Sequence, residues 1–84
     1  MDSNQKKVAC FCCHNITLPQ DSRYEICPVC FWESDPIQND DENYDGGANT
    51  ITLKQARLNY QELGAIESAM KKNVRPPLDS EIPK

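Results

Sequence analysis

The sequence has few of the residues from which a large hydrophobic core is built. Aromatic residues make up 7% of the 84 residues and hydrophobic residues 38%, and there is no apolar run of membrane-spanning length. A many-layered enzyme fold with a deep pocket is therefore excluded, and a short chain of this kind needs an additional constraint to stay folded. No apolar stretch follows Lys6 and Lys7, so we expect neither a signal peptide nor a membrane partner, and we place the protein in the cytoplasm.

Basic residues are also scarce. The chain has 9 Lys and Arg against 13 Asp and Glu, which gives a formal net charge of −4. A negative chain is repelled by a phosphate backbone, so nucleic acid is not the expected partner. The same charge favours a basic protein as the partner.

What the chain does have is five cysteines. An odd number in a reducing compartment argues against complete disulfide pairing and favours a metal site or redox chemistry. Two pairs have the Cys-x-x-Cys spacing, Cys10 with Cys13 and Cys27 with Cys30. A hairpin between the pairs would bring the four sulfurs to one tetrahedral ion, for which zinc fits better than iron. Such a site leaves no open coordination position, so we expect a structural metal and no enzyme activity.

Two neighbouring residues leave alternatives open. Cys12 would replace Cys10 or Cys13 only by giving up the two-residue interval, so we treat it as a buried non-ligand or as a reactive thiol. His14 is expected to be exposed or to donate a hydrogen bond to a ligand, with metal ligation as the alternative.

The order of segments predicts a small α+β domain that a metal holds together. Alternating apolar residues predict a hairpin of residues 16–18 with 23–26, and Thr52 and Gly64 mark the ends of a helix. We find no internal repeat. The expected organisation is a flexible lead-in at 1–9, one domain at 10–75 and a flexible, extended tail at 76–84. Within the domain we expect a zinc-ribbon-like hairpin with two knuckles at 10–32, an acidic loop at 33–50 and one or two α-helices at 52–74.

The loop at 33–50 is rich in acids and contains no Lys or Arg. Residues 41–46 match the first half of a calcium-binding loop, but Thr52 stands where a bidentate glutamate is required, so calcium does not fit. We instead expect the loop to attract a basic protein. Phe31 and Trp32 are expected to pack over the metal turn and against the helix, with Trp32 as an interface anchor if it is exposed instead. The candidate partner-binding residues are Trp32, Glu33, Asp35, Asp40, Asp41, Glu42 and Asp45.

Several segments together resemble the bacterial cysteine-rich CPCC family. They are the Cys10–Cys13 knuckle, the Tyr24–Glu33 block, Gly46–Asn49 and the helix at 53–64. The resemblance implies a zinc-binding module in a bacterial or phage setting, without implying a biochemical activity. The family's first knuckle usually reads Cys-Pro-Cys-Cys-Gly, whereas this chain has Phe11 and His14 at the proline and glycine positions.

The sequence as a whole predicts a non-catalytic zinc-binding interaction module, in concrete form an immunity or regulatory protein that binds a basic partner. Two alternatives remain. One is a nucleic-acid-binding zinc ribbon, and the other is a thiol or iron redox protein that uses Cys12 or the four-cysteine site. Zinc bound by four thiolates would carry a charge of −2 and take the formal charge of the chain from −4 to about −6.

Overall fold

A computed structural model describes residues 6–83 as a small, compact α+β fold built from short elements. None of the helices in this range is long and apolar enough to cross a bilayer. The elements in chain order are β1 (Lys7–Ala9), β2 (Ile16–Pro19), α1 (Pro36–Asp40), α2 (Leu53–Leu63) and two 3₁₀ helices at Ser68–Asn73 and Asp79–Glu81.

The hairpin differs from the predicted one in its first strand. β2 pairs antiparallel with β1, so Val8 lies opposite Leu18 and Ala9 opposite Ile16, and the prediction that 23–26 is the partner strand is wrong. Residues 7–9, expected in the flexible lead-in, form β1; residues 1–5 lie outside the described range. Ile26 instead makes an isolated antiparallel bridge with Glu33, because the segment around it closes the second Cys-x-x-Cys turn.

The predicted helix after the acidic loop is confirmed as α2. The Thr52 side chain accepts a hydrogen bond from the Gln55 backbone N–H at 3.1 Å, which caps the first turn. Gly64 adopts the left-handed conformation with φ 79° and donates its N–H to the Tyr60 carbonyl, which ends the helix. Leu53 and Ala56 are the residues of α2 that are fully buried in the core.

The remaining helical segments are less regular than the sequence predicts. The second helical piece is a 3₁₀ helix, Ser68–Asn73, rather than a continuation of α2. The tail is not extended throughout, because Asp79–Glu81 forms a 3₁₀ turn in which Glu81 makes two hydrogen bonds of 2.9 Å to the Arg75 guanidinium. Inside the acidic loop, the short helix α1 was not predicted; Asp35 caps it and Pro36 occupies its first turn.

The core lies between the two cysteine turns and α2. Its largest fully buried side chain is Trp32, and Val29, Leu18 and Leu53 pack into the same cluster. Four of the five cysteines are also buried members of this cluster, so the metal-binding turns and the hydrophobic core are one structural unit.

Candidate metal centre

The structure brings the sulfurs of Cys10, Cys13, Cys27 and Cys30 within 4.8 Å of one another. The Cys10 and Cys30 sulfurs are 3.6 Å apart, and those of Cys13 and Cys27 are 3.8 Å apart. Zinc–sulfur bonds of about 2.3 Å place the sulfurs of a regular tetrahedron about 3.8 Å apart. The spacing therefore fits one tetrahedral metal ion, and the four cysteines are positioned to bind it.

The two cysteine turns, which we term the first knuckle (Cys10–Asn15) and the second knuckle (Cys27–Trp32), have equivalent backbones position by position. In the first, Cys10 N–H bonds the Asn15 carbonyl at 2.9 Å; in the second, Cys27 N–H bonds the Trp32 carbonyl at 2.9 Å. The Ala9–Ile16 pair closes the first knuckle, as the Ile26–Glu33 bridge closes the second. The chain thus contains a repeated turn conformation that its residue pattern does not show.

Backbone amides point at the sulfurs in both knuckles. The N–H groups of Cys12, Val29 and Trp32 each donate to the sulfur two residues earlier at 3.4 Å. Donors aimed at a sulfur favour its thiolate form, which is the form that binds metal. The local fold is therefore arranged for thiolate ligands before any metal is considered.

Because the four sulfurs lie close together, the pKa values of two of the thiols are lowered and those of the other two are raised. Hydrogen bonding to Cys10 lowers the pKa of Cys27 and of Cys13, whereas hydrogen bonding to Cys13 raises the pKa of Cys10 and hydrogen bonding to Cys10 raises that of Cys30. Protein groups alone thus do not hold all four as thiolates. A bound divalent cation would supply the missing positive charge.

Each knuckle contains a non-glycine residue with positive φ, His14 at 67° and Phe31 at 76°. They are equivalent positions, each directly after the second candidate metal ligand of its knuckle, Cys13 or Cys30. L-residues there pay a steric cost of about 1–2 kcal/mol that glycine avoids. Glycine, which the sequence resemblance implies at the position of His14, would avoid this cost.

Thr17 is a site residue that the sequence analysis missed. Its hydroxyl lies 3.1 Å from the Cys27 sulfur, so β2 contacts the second knuckle directly. Thr17 is a polar residue between the apolar residues Ile16 and Leu18 of β2, yet it is buried. The sequence signal that could have identified Thr17 is a threonine within the strand that follows a Cys-x-x-Cys turn.

The structure places Cys12 and His14 outside the group of four sulfurs. Cys12 is buried in the core, and its backbone N–H donates to the Cys10 sulfur at 3.4 Å. His14 is exposed. Within residues 6–83 the four cysteines are the one group of three or more His, Cys, Asp or Glu side chains close enough to share an ion.

Two of the predicted partner-binding residues, Trp32 and Asp35, are buried. For Trp32 this confirms the expectation of core packing and removes the alternative of an exposed anchor, whereas for Asp35 it corrects an assignment to the surface. Trp32 is 0% exposed and donates its indole N–H to Asn39 at 2.9 Å. Asp35 accepts from the backbone N–H groups of Ala48 and Ile37, which lowers the pKa of its carboxyl. Its charge therefore stabilises the loop at neutral pH, and this contribution is lost as the pH falls through the lowered folded value.

The acidic loop is organised by a buried polar network that the sequence did not reveal. Gln38 is 0% exposed; its amide donates to the carbonyls of Tyr44 and Ile51, and its oxygen accepts from both the backbone and the side chain of Asn49. Asn49 also bonds both backbone groups of Glu33. The loop is thus fixed to the residue after the second knuckle.

Four predicted partner-binding acids, Asp40, Asp41, Glu42 and Asp45, are exposed, and Glu33 is half-buried. One of them is not free. Arg57 on α2 pairs with Glu42 at 3.1 Å and donates to the Phe11 carbonyl at 2.9 Å, which joins the acidic loop to the first knuckle. The exposed charge of the loop therefore comes chiefly from its three exposed aspartates, Asp40, Asp41 and Asp45.

Two equivalent knuckles with four convergent sulfurs define a class of small proteins with a four-cysteine metal site. A comparison with protein families gives the narrower assignment. The chain belongs to the cysteine-rich CPCC family, whose sequence pattern matches residues 8–81. A comparison with curated protein sequences finds no match.

Proposed function

We propose that this protein is a non-catalytic zinc-binding module that presents an acidic surface to a basic protein partner. The observation that carries the proposal is the closed group of four sulfurs, mutually within 4.8 Å. Four protein ligands fill a tetrahedral ion, so water or substrate has no coordination position to occupy. The metal then acts by constraining the fold.

Zinc is the metal that the donor set favours. It accepts four thiolates in a tetrahedron and needs no redox partner, whereas iron in such a site would give a coloured, redox-active protein. Three of the four sulfurs are on buried cysteines, which shields the ion from solvent. When bound, zinc would supply the positive charge that lets all four thiols ionise.

The interaction part of the proposal depends on charge and rigidity. Asp40, Asp41 and Asp45 lie exposed on a loop that the Gln38 network fixes in place. A preformed patch of one sign steers an oppositely charged protein and loses little conformational entropy on binding. An immunity or regulatory role against a basic protein fits this charge.

Metal analysis of the purified protein tests the first part. We expect one zinc per chain, a colourless sample and loss of the metal in Cys27→Ala. A sample with iron absorption and a reversible redox wave would instead establish the redox alternative.

Affinity capture from the source organism tests the second part. The bait Asp40→Asn/Asp41→Asn/Asp45→Asn should lose the basic proteins that the natural chain retains. The control bait Glu62→Gln, altered at an exposed position of α2, should keep them. Equal capture by all three baits would reject the acidic loop as the binding surface. Salt-dependent binding of DNA or RNA would favour the nucleic-acid alternative.

A further inference from the structure

A groove of about 170 Å³ lies beside the second knuckle, and we term it the Phe31 groove. Ile66 is buried, while Phe31 and Met70 are half-buried and pack against the core, and Ile26 remains 46% exposed. The apolar surface therefore runs from the core out to solvent. Its defining residues are Ile26, Phe31, Ile66 and Met70, with Glu33 and Glu67 as acidic members.

Hydrogen bonds fix the backbone of Glu33 and the carboxylate of Glu67 beside the groove. Asn49 bonds the backbone of Glu33 on both sides, at 2.9 and 2.8 Å, and the Thr50 hydroxyl donates to the Glu67 carboxylate at 2.6 Å. The two ion pairs formed within residues 6–83 use Glu42 and Glu81. Neither groove carboxylate has a basic side chain paired with it from that range, so both can receive one from a partner.

The backbone at Phe31 adds an independent observation. Its φ of 76° would suit glycine, yet the chain has a bulky aromatic residue there, half-buried and lining the groove. Strain of this kind persists where the side chain is needed for packing or function. At the equivalent position of the first knuckle, His14 is exposed and does not line this groove.

From these features we propose that the Phe31 groove binds an extended segment of the basic protein partner. A large apolar side chain of that segment packs against Ile26, Phe31 and Met70, and flanking Lys or Arg residues pair with Glu33 and Glu67. The inference rests on the proposed function and adds to it the location of the anchor and the chemistry of the bound segment. Apolar burial supplies the affinity, and the carboxylates select for basic flanks.

The test is an NMR titration of the full, metal-loaded chain with three peptides. The probe is Lys-Lys-Leu-Phe-Lys-Lys, and the controls are Glu-Glu-Leu-Phe-Glu-Glu and Lys-Lys-Ser-Ser-Lys-Lys. We expect the probe to shift the methyl signals of Ile26, Ile66 and Met70. Each control should bind at least about tenfold more weakly, because one lacks the charge complementarity and the other the apolar anchor.

Paired variants separate the groove from the acidic loop. Phe31→Gly removes the aromatic side chain of the groove together with the backbone strain, and should weaken binding of the probe peptide about tenfold. His14→Gly relieves the same strain in the first knuckle and should leave the affinity for the probe peptide unchanged. Glu33→Gln/Glu67→Gln should weaken it about fivefold. Asp21→Asn/Glu62→Gln removes the same charge at exposed positions outside the groove and the acidic loop, and should have little effect. Asp40→Asn/Asp45→Asn tests whether the acidic loop binds the probe instead. Ile26→Ser, at an exposed position, is a second groove variant that does not alter the knuckle backbone.

The outcomes distinguish the two proposals. If the Asp40/Asp45 variant loses the probe while the groove variants retain it, the acidic loop is the binding surface and the groove proposal is wrong. If the acidic and basic peptides bind equally, the expectation of a basic partner is wrong as well. Shifts of the same methyl signals with protein concentration alone would show that a second copy of the chain fills the groove, which also overturns the proposal.

Discussion

At the scale of single residues, the two positive-φ positions in the knuckles show how side-chain packing can outweigh an unfavourable backbone conformation. His14 and Phe31 occupy equivalent places with φ of 67° and 76°, but His14 is exposed whereas Phe31 packs against the core. The same backbone cost is therefore offset by buried side-chain contacts at only one of the two positions.

His14→Gly should stabilise the metal-loaded protein by about 0.5–1 kcal/mol, because relief of the left-handed strain exceeds the entropy that glycine adds to the unfolded chain. Denaturant unfolding at a fixed free zinc concentration measures the change. His14→Ala removes the same side chain but keeps the strain, so it should not stabilise. Equal stability of the two variants would contradict the explanation.

Cys12 is the cysteine that the structure leaves outside the group of four sulfurs, although it is buried next to it. Cys12→Ala should keep one metal per chain and cost about 1 kcal/mol for the small cavity. Cys13→Ala, the matched removal of a proposed ligand, should lose the metal during purification or against a mild chelator. Metal content of the two purified variants checks this, and loss of metal from Cys12→Ala would make Cys12 a ligand.

At the scale of elements, the acidic loop is an ordered structural element and not a solvent-exposed linker. Gln38 and Asn49 replace a hydrophobic core with hydrogen bonds to backbone groups on both sides of the loop. A buried network of this kind is stable only while every member is satisfied. Substitutions that add atoms where segments of the loop approach each other closely should therefore lower the stability of the protein.

Gly47→Ala should destabilise the protein by about 2–3 kcal/mol. A Cβ at this position would lie 2.5 Å from an Asp35 carboxylate oxygen and 2.6 Å from Gln38, and both side chains are fixed by hydrogen bonds. Gly64→Ala is the control, because its Cβ would meet nothing within 4 Å and only the left-handed φ of 79° costs about 1 kcal/mol. Equal losses in denaturant unfolding would show that Gly47 matters only for backbone freedom.

At the scale of the whole molecule, the cysteine site and the hydrophobic core are not separable. Cys10, Cys27 and Cys30 belong to the buried cluster that also contains Trp32 and Leu53, and the Trp32 N–H donates to the Cys30 sulfur. The Ile66 backbone N–H donates to the Cys30 carbonyl at 3.0 Å, which attaches the segment after α2 to the same knuckle. Removal of the metal should therefore affect elements that contain no ligand.

Chelation should unfold the chain cooperatively, because structural zinc contributes on the order of 10 kcal/mol to small domains of this kind. We expect the near-UV signal of Trp32 and the far-UV signal of α2 to be lost together, and to return when zinc but not calcium is added. The Cys12→Ala variant serves as a control for thiol oxidation. Unchanged spectra after complete metal removal would mean that the core alone holds the fold.

The sequence by itself determined the features that depend on local spacing. The two Cys-x-x-Cys intervals predicted which four sulfurs converge, and Thr52 and Gly64 predicted both ends of α2, because turns and caps involve residues close together in the chain. Only the tertiary structure decided which segment pairs with β2 and which acids of the loop are exposed. Strand pairing depends on long-range contacts. Lys7–Ala9 pairs with β2, whereas residues 23–26 close the second knuckle instead. Likewise, Asp35 became an interior residue because the backbone N–H groups of Ala48 and Ile37 satisfy its carboxylate, and such partners are visible only once the loop has folded. The core position of Trp32 was expected from the sequence, and the structure adds Asn39 as the acceptor of its indole N–H.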